Sequence, residues 1–310
     1  MAAGTLGRMF GATQTGTFLG LPAARAEALE GARVAILGAD TATPYPSVGA
    51  YCAGGPAAIR AGSGDLAANR GHVNFDHGAL ALPEGSAVDC GDIPLAQDPA
   101  ETRMRIAEAI EAVARAGAVP VLLGGDDSIP IPVIEALGRA SPEPLWIVQI
   151  DAHIDWRDEV EGERYGLSST IRRASEMAHV EGIIQIGQRG IGSARMSDAE
   201  DARAWGATLV SGRAMAGGAD PLATLPEGAR VCVVFDCDAL DPSIMPAIVA
   251  RTAGGLGYWQ AVDLVERIAA RGRIAGLTMA EFMPERDIDG LGAATAAQLL
   301  TSWLGVLTRA

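Results

Sequence analysis

Several acidic side chains in this sequence, with one histidine among them, are spaced so that they could share a metal ion. Asp151, His153 and Asp155 follow the apolar run LWIVQI, and Asp236 and Asp238 follow VCVVF. Asp126 and Asp127 follow VLLGG, and Glu281 follows IAGLTMA. Alternate residues of an extended chain share one face, so Asp151, His153 and Asp155 can converge, as can Asp236 and Asp238. Carboxylates gathered that closely repel one another unless a cation neutralises them. An oxygen-rich set with one imidazole suits manganese or a similar hard-to-borderline divalent ion. A single Asp-x-Asp would mean little, because strand ends are often acidic; the combination carries the expectation. Asp126 is expected to bond nearby backbone, and Asp241-Pro242 to make a turn. His72, His77 and His179 lack such company and are read as surface or core residues.

Ligands bind beyond the carboxyl ends of the strands in parallel α/β sheets, and the elements that would position these groups follow that plan. Apolar runs at 34–38, 119–123, 145–150, 182–186, 231–235 and 274–279 read as buried strands. Segments 100–116, 131–137, 257–270 and 293–307 read as helices. Buried strands alternating with helices predict an α/β protein, a three-layer α/β/α arrangement around a mainly parallel sheet. Residues 1–30 read as a lead-in, 31–310 as a single domain, and 40–71 as a glycine-rich loop region.

Composition narrows the partners. A chain of 310 residues, 49% of them hydrophobic, can bury a large core without disulfides. Its net charge of −14 disfavours nucleic acid and anionic membranes. The sequence contains no lysine, which removes Schiff-base and lysine-base mechanisms. Cys52, Cys90, Cys232 and Cys237 form no CxxC pair, and Cys232 and Cys237 read as small core residues. Neither a signal peptide nor a membrane span is expected, so a cytoplasmic location is.

The acidic runs also carry a resemblance. Asp151-Ala152-His153-Ile154-Asp155 is similar to the Asp-Ala-His-x-Asp of the ureohydrolases, the arginase and agmatinase family. Asp236-Cys237-Asp238-Ala239-Leu240-Asp241-Pro242 resembles their Asp-x-Asp-x-x-Asp-Pro, and Glu281-Phe282-Met283-Pro284 their Glu-Phe-x-Pro. Gly55-Pro56-Ala57-Ala58-Ile59-Arg60 looks like an early family segment, and Gly187-Gln188-Arg189-Gly190 and Gly254-Gly255-Leu256 also fit. The likeness runs in family order from about residue 30 to the end and is nearest the agmatinase branch. It implies an arginase-like fold and a centre of two divalent ions, manganese or nickel. Asp151 and Asp236 would bridge the metals, His153 and Asp238 would complete one site, and Asp155 would serve the other. Glu281 would hold the substrate guanidinium, with Asp151 and Glu281 as the catalytic pair. Metal-activated water would attack the guanidine carbon, releasing urea and an amine. The resemblance further implies trimers or hexamers of ureohydrolase-like subunits.

Three positions depart from the family pattern. Asp127 stands where the family has a metal-binding histidine, so this chain brings a further carboxylate to the first site. Leu167 replaces a histidine that moves protons. Residues 247–251 replace a Gly-Thr-Gly-Thr-Pro loop, putting Ala250 where a substrate-facing threonine stands and adding Arg251. Arg251 either swings into the acidic cluster as an internal cation or points to solvent. Two functions follow as expectations. One is a non-catalytic subunit assembling with an active paralogue, as in heteromeric metformin-type biguanide hydrolases. The other is an active binuclear amidinohydrolase with a changed guanidino substrate.

Overall fold

The computed structural model describes residues 15–309. Ten strands and eight α-helices are described. The strands are β1 (Val34–Ala39), β2 (Val73–Asn74), β3 (Ala79–Leu80), β4 (Ala87–Asp92), β5 (Val119–Gly124), β6 (Leu145–Ile150), β7 (Val180–Ile186), β8 (Thr208–Val210), β9 (Arg230–Asp236) and β10 (Arg273–Ala280). The helices are α1 (Gly55–Gly62), α2 (Pro99–Arg115), α3 (Pro130–Ala140), α4 (Thr170–Ser175), α5 (Met196–Trp205), α6 (Gly212–Ala216), α7 (Tyr258–Arg271) and α8 (Leu291–Leu307).

Eight strands form one parallel sheet in the order β4-β1-β5-β10-β9-β6-β7-β8; β2 and β3 make a separate hairpin. The run VCVVF shows why the sheet is buried on both sides. Val231, Val233 and Phe235 join the core that includes α7 and α8, while Cys232 and Val234 face the core of α2 and α3. Strand side chains alternate between faces, so an unbroken apolar run needs cover above and below. On one side Phe235 meets Trp303 of α8 edge-on at 4.8 Å between ring centres. On the other, Ile106, Ile110 and Val113 of α2 and Val133, Ile134 and Leu137 of α3 cover the sheet. The protein is a three-layer α/β/α structure, as the alternation of apolar runs predicted.

Two parts of the fold differ from the sequence expectation. Residues 40–71 contain α1, which begins close to the sheet: a Cβ at Gly55 would lie 2.7 Å from the Gly124 carbonyl oxygen. Strand β4 has the sequence AVDCGD, which lacks an apolar run because Asp89 is buried there in a two-point ion pair with Arg60 at 2.8 and 3.0 Å. Of the lead-in, residues 1–14 lie outside the described residues, while Phe18 and Leu19 pack into the main core. No helix among the described residues is long and apolar enough to cross a membrane.

Candidate metal centre

The four acid-ended strands are consecutive in the sheet: β5, β10, β9 and β6. Their register aligns the ends. Leu123 pairs with Met279, Ala280 with Asp236, and Phe235 with Ile150. Asp236 and Asp151 therefore leave the same rim at one level, with Glu281 one residue and Asp127 three residues beyond it. Asp127, His153, Asp155, Asp236, Asp238 and Glu281 line one cavity of about 190 Å³, and Asp151 lies fully buried behind its wall against His153.

Around it, ligand atoms fall into two triads, each within 4.8 Å: Asp151, His153 and Asp238, and Asp127, Asp151 and Asp155. Asp151 belongs to both. Asp236 lines the same cavity without joining either triad, and its Oδ1 accepts the Asp238 backbone N–H at 2.6 Å. His153 Nδ1 lies 3.1 Å from Asp238 Oδ2 and 3.4 Å from Asp151 Oδ1. These two carboxylates push the imidazole pKa up to about 12.

Asp127 is 2% exposed, and neither of its carboxylate oxygens has a hydrogen-bond partner. Burial, together with Asp155, Asp151 and Glu281 nearby, drives its pKa well above the usual carboxylate range. An uncompensated buried carboxylate is costly, so this group needs a cation or a proton. Orphaned oxygens beside a cavity bordered by two ligand triads fit a divalent metal.

Backbone strain marks two of the same residues. Asp155 has φ 43° and Glu281 has φ 62°, a region non-glycine residues seldom occupy. The Asp155 carbonyl is fixed by the Ile171 and Arg172 N–H groups, each at 3.1 Å, and Glu281 N–H donates to the Gly125 carbonyl at 2.7 Å.

Two buried amides escaped the sequence reading. Gln149 Nε2 donates to Asp151 Oδ2 at 2.7 Å and to Asp155 Oδ2 at 2.6 Å. Gln185 Nε2 in turn donates to Gln149 Oε1 at 2.5 Å. The two glutamines are register partners on β6 and β7, and the visible signal was one amide inside each apolar run, LWIVQI and GIIQI. Tyr51 was missed as well; its hydroxyl donates to Glu281 Oε1 at 2.6 Å from within a glycine-rich loop.

The remaining candidates separate clearly. Leu167 and Ala250 line the cavity. Arg251 does not: its Nε donates to the Pro246 carbonyl and a terminal nitrogen to the Arg286 carbonyl, both at 2.8 Å. Of the two placements open to Arg251, the one inside the acidic cluster is therefore ruled out; backbone acceptors outside the cavity hold its exposed guanidinium. Asp126 accepts from Thr41 Oγ1 and from Ser128, and Asp241 from Ser243 and Gly254, the local roles expected of both. His77 and His179 bond elsewhere, to Glu266 and to the Ile134 carbonyl.

A family model described as the arginase family matches residues 32–305. The chain belongs to the arginase family. Within the family it is agmatinase-like: it is 32% identical over 90% of its length to N(1)-aminopropylagmatine ureohydrolase of Thermococcus kodakarensis, covering 92% of that protein. Proclavaminate amidino hydrolase of Streptomyces clavuligerus superposes with a TM-score of 0.80 at 24% identity, over 96% of this chain and 98% of the other. A Trypanosoma cruzi formiminoglutamase solved with Mn2+ superposes at 0.81 and 21% identity, over 95% and 99%. At those identities the two structures establish the arginase-like fold, and the metal belongs to the second of them.

Proposed function

We propose that this chain is a subunit of a metal-dependent guanidine or biguanide C–N hydrolase, assembling with a catalytic ureohydrolase paralogue rather than turning substrate over alone. The cavity wall carries this reading. Beyond the carboxylates, its only titratable groups among the described residues are His153 and Tyr51. His153 Nδ1 faces Asp238 and Asp151, and Tyr51 already donates to Glu281. Leu167 stands where the family likeness puts a proton-carrying histidine, and general acid–base help is worth roughly 100- to 10,000-fold.

Asp127, Asp151 and Asp155 would hold one divalent ion, manganese or nickel, and Asp151, His153 and Asp238 the other, with Asp236 beside them. Such ions supply Lewis-acid polarisation and water activation when bound. The chain's own residues do the rest. Gln149 fixes one oxygen each of Asp151 and Asp155, and Glu281 presents a carboxylate to orient a guanidinium. What is missing is a group free to protonate the departing amine. The trimers and hexamers implied by the family likeness give such a subunit a place to act. Four free cysteines support a reducing, cytoplasmic setting.

A self-sufficient amidinohydrolase is the second reading, favoured by both intact triads and by Arg251 lying outside the cavity. Metal content and turnover of guanidines and biguanides decide between them, measured on the purified chain alone and after mixing with a ureohydrolase paralogue. Activity only in the mixture is expected. Two bound ions with turnover by the chain alone would defeat the subunit reading.

A further inference from the structure

Glu281 is occupied by the protein itself. Its Oε1 accepts the Tyr51 hydroxyl at 2.6 Å and the Asp127 backbone N–H at 2.8 Å. Its Oε2 accepts the Cys52 thiol at 3.7 Å. A carboxylate offers about four acceptor positions, two on each oxygen, so Oε1 is filled and Oε2 retains one. A guanidinium binds a carboxylate most strongly through two parallel N–H bonds, one to each oxygen. That pairing has no room at Oε1 while the phenol is there. Tyr51 is half-buried and lines the cavity beside Glu281, so its ring and hydroxyl share the space a substrate would enter.

We propose that Tyr51 is a built-in occupant of the guanidinium subsite, holding the acceptor position on Glu281 that a substrate would need. This rests on the reading of Glu281 as the guanidinium-binding carboxylate. The backbone N–H of Asp127 and the Cys52 thiol keep the carboxylate in place, so the phenol is the one donor whose removal opens the subsite without releasing Glu281. The strained backbone at Glu281, bonded to the Gly125 carbonyl, fixes the group independently of Tyr51. A phenol serving only to position Glu281 would make the opposite prediction, since its loss would weaken guanidinium binding.

The test is calorimetric titration of the full chain with methylguanidine at matched ionic strength. Wild type is compared with Tyr51→Phe, with Tyr51→Leu, and with each carrying Glu281→Gln. Both single variants should bind about tenfold more tightly, the gain expected from one freed charge-assisted hydrogen bond, and Glu281→Gln should erase the gain. The leucine variant covers the case in which phenylalanine leaves the ring blocking entry. Unchanged or weaker binding by both variants, still sensitive to Glu281→Gln, would overturn the role of Tyr51 and leave Glu281 as read. Binding indifferent to Glu281→Gln in every variant would overturn both.

Discussion

Gln149 is a neutral side chain bonded to two candidate metal-binding carboxylates. Its amide nitrogen serves Asp151 and Asp155 together, and Gln185 holds its oxygen. Groups that orient metal ligands commonly govern affinity by 10- to 100-fold. Gln149→Leu should therefore weaken Mn2+ binding by about 10- to 100-fold in a chelator competition, with the fold retained by circular dichroism. Undiminished affinity would mean the carboxylates are held without it. Asp127 allows a complementary test, because its orphaned carboxyl sits among Asp155, Asp151 and Glu281. Asp127→Asn keeps the shape and removes a carboxyl whose ionisation is opposed by burial and by its acidic neighbours. In chelator-treated protein it should raise the thermal midpoint by about 2–4 °C while reducing metal binding; a lower midpoint would show that the carboxylate is needed for folding. The candidate ligand residues could be singled out because each follows an apolar strand, where charge has few structural reasons to be. Gln149, Gln185 and Tyr51 were not, because their roles depend on strand register and on a loop returning to Glu281 from 230 positions away in sequence.

At the scale of elements, all six strands named from the sequence are present to within two residues, as are the four helices except α3, which continues to Ala140. Buried parallel strands are nearly all apolar and their helices amphipathic, so both patterns survive in a bare sequence. Strand β4 was hidden by its ion pair, and β8 by being only Thr208–Val210 at the sheet edge. Helix α1 was hidden by the glycines that let it approach the sheet. Gly187, just past β7, has the same kind of role at the site. It has φ 109°, and a Cβ there would meet the Asp151 carbonyl oxygen at 2.8 Å. Gly187→Ala should cost about 1–3 kcal/mol in urea unfolding and lower metal affinity by shifting Asp151. A stability loss with metal affinity intact would place the strain in the loop after β7 alone.

For the whole molecule, the centre draws on β5, β6, β9 and β10, so no fragment short of the folded sheet contains it. Metal that binds only the folded chain stabilises it by mass action, by about 2.7 kcal/mol at a hundredfold excess over Kd. Adding Mn2+ or Ni2+ should move the urea midpoint upward, and chelation should move it back. A midpoint indifferent to either ion would argue against a metal centre in this chain. Strand order has one more consequence. β10, last in chain order among the described strands, lies between β5 and β9. Until residue 280 has been translated, the nascent chain can build only two half-sheets, β4-β1-β5 and β9-β6-β7-β8, each with an open edge where the other should join. Such edges invite pairing with foreign strands. The nascent chain thus stays exposed to aggregation until β10 arrives, and that single insertion closes the gap and completes the acidic rim together.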